Sequence, residues 1–258
     1  MKTLSALLFL LAAASTQAAQ SPIVGSWYAT HLGDADSTVV LTFLPNGEYF
    51  LADDGSIASD PSGQPGMERG HYSWNELTGA FSSTTEVNTD GEWGLSHGQP
   101  ASILIGGDSL SAEGDTLFRL PQVPSSIVGS WYLTNAGQAN STVVVSFLSD
   151  GQFFLAEDGD STLDPSGQDG MERGTYSWDS VSGSFQVVTL PVDTNGGWGL
   201  SGAQDVHMSV LPGGSLRVTD SVEGTEDLIR VTAVPEPQVW VALLLGVVAV
   251  GAVTRRRA

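Results

Sequence analysis

The 258-residue chain has no cysteine, one lysine and four histidines. Without cysteine there is no disulfide scaffold, no thiolate nucleophile and no Cys-based zinc or iron–sulfur site. Basic residues are few altogether, nine against 29 carboxylates, for a formal net charge of −20. Four of the nine stand at the ends, as Lys2 and Arg255-Arg256-Arg257, so five arginines face the acidic complement between them. Such a surface repels phosphate backbones and excludes nucleic acid as a partner. A phosphate-binding P-loop is absent as well. Between residues 20 and 233 no stretch sustains a helical period. What is present is 41% hydrophobic residues with 31 glycines, too apolar for disorder and too glycine-rich for an all-helical protein.

Long apolar runs occur only near the two ends. Lys2 precedes the run from Leu4 to Ala14, and Ser15-Thr16-Gln17-Ala18-Ala19 offers small residues for cleavage. Residues 1–19 therefore read as a secretory signal peptide handled by the Sec machinery, with a buried N-terminal helix as the other reading. At the far end, Val234-Pro235-Glu236-Pro237 leads into fifteen uncharged residues, Val239 to Val253, and then Arg255, Arg256 and Arg257. As a single transmembrane helix, 239–253 would span about 22 Å, short of a hydrocarbon core of about 30 Å. Gln238 and Thr254 can extend it while the arginines snorkel. Basic residues stay cytoplasmic, which puts the body of the chain outside. Pro235 and Pro237 keep the approach to the membrane extended.

This three-part end, residues 234–258, resembles the PEP-CTERM sorting signal of Gram-negative bacteria. The resemblance implies recognition by an exosortase, a membrane cysteine protease/transpeptidase-like enzyme. It also implies an inner-membrane intermediate, then delivery to the cell surface or extracellular matrix, in association with exopolysaccharide and biofilm. An ordinary C-terminal membrane anchor is the alternative, and it also leaves the body outside the cytoplasm.

The middle is one unit written twice. Ile23-Val24-Gly25-Ser26-Trp27-Tyr28 recurs as Ile127-Val128-Gly129-Ser130-Trp131-Tyr132, and from Ile23 to Phe81 against Ile127 to Phe185, 36 of 59 positions are identical. Trp93-Gly94-Leu95-Ser96 returns as Trp198-Gly199-Leu200-Ser201 after a one-residue insertion. Units of about 100 residues are domain-sized. Residues 20–120 and 127–233 are thus expected to be two β domains, with 121–126 as linker.

Each unit predicts short strands separated by turns. In the first they run over 23–30, 38–44, 48–52, 68–74, 80–87, 102–105, 109–112 and 116–120. Asn46-Gly47 and Asp150-Gly151 mark hairpins, because these dipeptides tolerate positive φ. The expected fold is all-β: two tandem antiparallel meanders, each a barrel or a sandwich, plus the C-terminal membrane helix. The opening Gly-x-Trp of each unit is similar to the first-strand motif of lipocalin-like (calycin) barrels. That resemblance implies a Trp packed against an Arg of the last strand, and Arg119 and Arg230 sit where it would fall.

Two copies provide an internal control, since chemistry used by both should use residues present in both. The histidines fail it: His31 faces Asn135, His71 faces Thr175, and His97 faces Gly202. A repeated histidine-based centre is thereby disfavoured, and the expected role is non-catalytic. Asp54 and Asp60 repeat as Asp158 and Asp164 in polar loops, which suits either a weak Ca²⁺ site or plain turn-making. No other cofactor is expected. Glu68 repeats as Glu172 beside Tyr72 and Trp74, and on strand alternation the three share one face with Arg69 opposite. Glu68 and Glu172 are therefore either raised-pKa acids, even a glycan hydrolase's, or strand-end partners. Trp93 with Asp90, and Trp198 with Asn195, lie in glycine-rich loops. These suit stacking on a sugar ring, or the tryptophans plug a barrel end. Association with extracellular polysaccharide is the reading favoured over a small-molecule carrier, because barrels this small leave little cavity.

Overall fold

A computed structural model describes residues 21–30, 37–57, 60–134, 141–159, 164, 166–222 and 224–232. The proposed signal peptide 1–19, the sorting signal 234–258 with its segment 239–253, and His31 lie outside the described residues. Among the described residues no helix is long and apolar enough to cross a membrane.

The first repeat forms β1 (Gly25–Thr30), β2 (Ser37–Phe43), β3 (Glu48–Asp53), β4 (Gly66–Trp74), β5 (Phe81–Asn88), β6 (Leu104–Gly106), β7 (Ser109–Ala112) and β8 (Asp115–Arg119). The second forms β9 (Gly129–Thr134), β10 (Ser141–Phe147), β11 (Gln152–Glu157), β12 (Gly170–Trp178), β13 (Phe185–Asp193), β14 (His207–Val210), β15 (Leu216–Asp220) and β16 (Gly224–Arg230). All eight strands expected in the first repeat are present, within two residues at every end. The Asn46-Gly47 turn works as its chemistry predicts. Gly47 takes φ +90°, and Asn46 Oδ1 accepts the Glu48 N–H at 3.1 Å.

Each repeat is an eight-stranded antiparallel sheet in which strands 1 to 5 form one meander and 6 to 8 another. The two meanders join where the last strand pairs with the first, Trp27 opposite Arg119 and Trp131 opposite Arg230. Each sheet curls until its edges meet at a single bridge, Ala80 with Ser102 and Ser184 with His207. Side chains fill the inside of each curl. In the first repeat Trp27, Phe43, Tyr49, Leu51 and Ile103 pack there, with Trp74 and Trp93 against them; the second repeat uses Trp131, Phe147, Phe153 and Leu155. Arg119 lies 4.0 Å from the Trp27 ring centre and Arg230 3.9 Å from that of Trp131.

A third core joins the repeats. β3 and β11 are buried on both faces. Their outer side chains Phe50, Ala52, Phe154 and Ala156 pack together with Val40, Met67, Val144 and Met171. Every member has its counterpart one repeat away, so the contact is self-complementary, like the isologous interface of a two-fold dimer. Residues 21–233 accordingly form one compact unit.

Candidate functional site

The residues singled out from the sequence separate into two places. Asp54, Asp158 and Arg69 lie where the repeats meet. Arg69 reaches across to Asp158 at 3.3 Å and Arg173 reaches back to Asp54 at 3.2 Å, an exchange of ion pairs across the pseudo-two-fold. Arg69 also holds Glu48 at 2.8 Å and Glu86 at 3.2 Å. Asp60 and Asp164 close turns. The Ser62 N–H donates to Asp60 Oδ1 at 2.7 Å and its hydroxyl to Oδ2 at 2.5 Å, and Ser166 does the same for Asp164. Among the described residues no three His, Asp or Glu side chains converge as a ready metal centre.

The second place is one end of each curled sheet. Glu68 on β4 and Glu172 on β12 point inward there, and the Gly-Trp loop folds over them. Glu68 Oε2 accepts the Leu95 N–H at 2.9 Å and Oε1 the Ser96 N–H at 2.8 Å. Glu172 accepts those of Leu200 and Ser201 at 3.0 and 2.9 Å. Each glutamate thus anchors the loop carrying Trp93 or Trp198, which places it as a structural partner of that loop. Both are fully buried, out of reach of a substrate. Burial raises the pKa of both, Glu172 to about 7, with the loop N–H groups opposing. The loop needs glycine at its bend. Gly94 has φ +79°, and a Cβ there would meet Glu68 Oε1 at 2.8 Å and Asp90 Oδ2 at 2.9 Å.

Asp90 and Asn195 are fully buried beneath the same loops, with Asp53 and Glu157 at the ends of β3 and β11. The first repeat therefore gathers Asp53, Asp60, Glu68 and Asp90 at one mouth, each at most 1% exposed. Burial, then Glu68 and Asp53, push Asp90 up to about 8. Burial, then Asp54 and Asp60, push Asp53 up to about 7. In the second repeat Asn195 Nδ2 donates to Glu157 Oε2 at 3.1 Å, and burial holds Glu157 at about 8.

Trp93 and Trp198 are half-buried and pack on the two inner cores. Beside the first Gly-Trp loop lies an open groove of about 380 Å³ lined by Thr85, Glu86, Asn88, Ser96 and Gln99. Its lining is hydroxyl, amide and carboxylate. The seam between the repeats holds only about 10 Å³.

Two motif spacings in these loops escape a reading by strands. Gly94-Leu95-Ser96-His97-Gly98 has the spacing of a nucleophile elbow, and Gly197-Trp198-Gly199-Leu200-Ser201-Gly202 that of a dinucleotide fingerprint. Neither stands between a strand and a helix, the context both require. Ser96 Oγ is engaged within its own loop, donating to the Trp93 carbonyl at 3.2 Å and accepting from Asn88 Nδ2 at 2.9 Å. The groove was not legible beforehand, because β5 and a loop ten residues further on build it together. The chain matches no protein-family model, no curated protein and no solved structure.

Proposed function

We propose that this is an exported, non-catalytic protein of the cell surface or extracellular matrix that associates with extracellular polysaccharide. In this reading the PEP-CTERM-like end, Val234-Pro235-Glu236-Pro237 through Arg255-Arg256-Arg257, hands the chain to an exosortase after Sec export. The calycin-like Gly-x-Trp motif describes the scaffold alone, since fold does not set function.

The polar groove beside Trp93 is the observation that supports association with polysaccharide. The polar lining of Thr85, Glu86, Asn88, Ser96 and Gln99 suits a polyhydroxylated chain, its hydroxyls and amides held in place by bonds within the protein, and the half-buried Trp93 stands in the loop that forms one wall. A carrier of apolar molecules would need a hollow sheet, whereas aromatic side chains fill these. A hydrolase using Glu68 or Glu172 would need those carboxylates exposed, and both are buried.

The test is retention of the full-length chain on the host's own exopolysaccharide. Saturable binding, weakened in Gln99→Ala and Trp93→Ala variants of unchanged circular dichroism, is the expected result. No retention at any polymer concentration would sink the polysaccharide reading. Intact-mass measurement of the protein recovered from cells tests the sorting reading separately. Loss of the C-terminal hydrophobic segment with its arginine cluster is expected, and a full-length C-terminus would point to a plain anchor.

A further inference from the structure

We propose that the mouth of the first repeat binds one hard divalent cation, with Ca²⁺ the best match, between the carboxylates of Asp53 and Asp90. This stands apart from the polysaccharide reading and would survive its failure.

Both residues are fully buried, and none of their four carboxylate oxygens has a hydrogen-bond partner. The Gly55 and Asp54 amides partly offset the burial of the Asp53 carboxylate, and the amide of Asp90 does the same for its own, but among the described residues no side-chain donor or cation reaches either group. Glu68 and Asp60 lie close enough to raise the pKa of these acids, although no three of the four converge as a preformed centre. None of the described arginines pairs with any of them. Arg69 is held by Glu48, Glu86 and Asp158, Arg173 by Asp54, and Arg217 by Asp227, while Arg119 and Arg230 cover their tryptophans. Buried carboxylates without partners either keep their protons or take up a compensating charge, and a cation that displaces those protons supplies it.

The second repeat shows what closes such a mouth when no ion is needed. There Asp53 becomes Glu157, one methylene longer, and Asp90 becomes Asn195, an amide donor. The two bond directly at 3.1 Å. In the first repeat the shorter acid and the loss of the donor leave both ends of that link as acceptors. A cation completes it, drawing the two carboxylates onto one centre. Asp90 Oδ2 and Glu68 Oε1 already flank the inner side of Gly94, both within 2.9 Å of its missing Cβ, so Glu68 is the next oxygen donor at hand. All available donors are oxygens, with no sulfur or imidazole among them, which selects hard ions. The tolerance of Ca²⁺ for irregular geometry suits a site assembled by closure.

The natural sequence supplies the control. Asp53→Glu with Asp90→Asn transplants the second repeat's self-bonding pair into the first, and so is expected to fold. The full-length chain, stripped with EDTA and held at pH 8, is titrated with CaCl₂ and separately with MgCl₂. Calorimetry gives the stoichiometry and thermal melting gives the stabilisation. One divalent ion per chain, with a raised melting temperature, is expected for the natural sequence. The double variant should lose the binding by at least tenfold and melt in EDTA no lower than the stripped natural protein. The proposal is overturned if neither ion binds or shifts the melt. It is equally overturned if the folded double variant binds as tightly as the natural chain.

Discussion

Truncating Phe50 to alanine tests whether the repeats fold as one body. Phe50 is 1% exposed and lies on the outer face of β3, against Val40, Ala52 and Met67 of its own repeat and Val144, Phe154 and Met171 of the other. Losing a fully buried phenyl ring costs about 3–5 kcal/mol through lost transfer energy and the cavity left behind. The flanking strands are buried on both faces, which limits collapse into the hole and favours the upper half of that range. With a urea slope of about 1–3 kcal/mol/M, the midpoint should fall by roughly 1–5 M. The informative point is which signal moves. Three tryptophans report from each repeat, Trp27, Trp74 and Trp93 against Trp131, Trp178 and Trp198. If the shared core couples them, fluorescence and far-ultraviolet circular dichroism shift together in one transition. A variant that unfolds in two steps, with half the signal left at the natural midpoint, would refute the coupling.

Two further outcomes follow from the buried charges and the Arg–Trp stacks. An unfolded carboxylate gives up its proton near pH 3.9, whereas Asp53 and Glu172 keep theirs to about 7, and Asp90 and Glu157 to about 8. The native state therefore holds more protons between roughly pH 4 and pH 8, and stability of the metal-free protein falls as pH rises through that window. Urea midpoints should be higher at pH 5 than at pH 8.5, and a flat profile would contradict the burial of these acids. Replacing Arg230 by alanine removes the stack on Trp131 and its hydrogen bonds to the carbonyls of Ser126 and Val128. About 2–3 kcal/mol should be lost, with a melting temperature lower by roughly 4–12 °C. Arg230→Lys should recover less than half, because an ammonium lacks the planar fork. Full recovery by lysine would show that charge alone mattered.

The strands were legible because their signals are local. In β5 the burial alternates from Phe81 onward, as a sheet with one wet face should. Gly47 and Gly151 stand where a hairpin requires positive φ. The shared core had a signal too. Val39-Val40-Leu41 and Tyr49-Phe50-Leu51-Ala52 are apolar at both parities, the mark of strands buried on two faces. A linker-and-domain reading gives that second face no partner. Arg69 and Asp158 were recognisable as repeated residues, but nothing in their spacing says that they meet each other's copies. The acid mouth was least legible. Asp and Glu belong at surfaces by default, and only the fold-over of the 88–98 loop, held by Glu68, takes Asp90 out of water. Requiring that a residue match in both copies disposes of the histidines, but it also passes over the position where the two interiors differ.

The self-complementary contact between the repeats has a consequence for how the molecule can change. In a dimer of separate identical chains, every substitution strikes both sides of the symmetry axis at once. Asp90→Asn could not be made in one subunit and withheld from the other. Placed on one chain, the halves inherit independently while still sharing the packing of Phe50 on Phe154 and the crossed Arg–Asp pairs. One half can keep a buried acid–amide pair that bonds to itself, and the other is released to place two acids at the same positions.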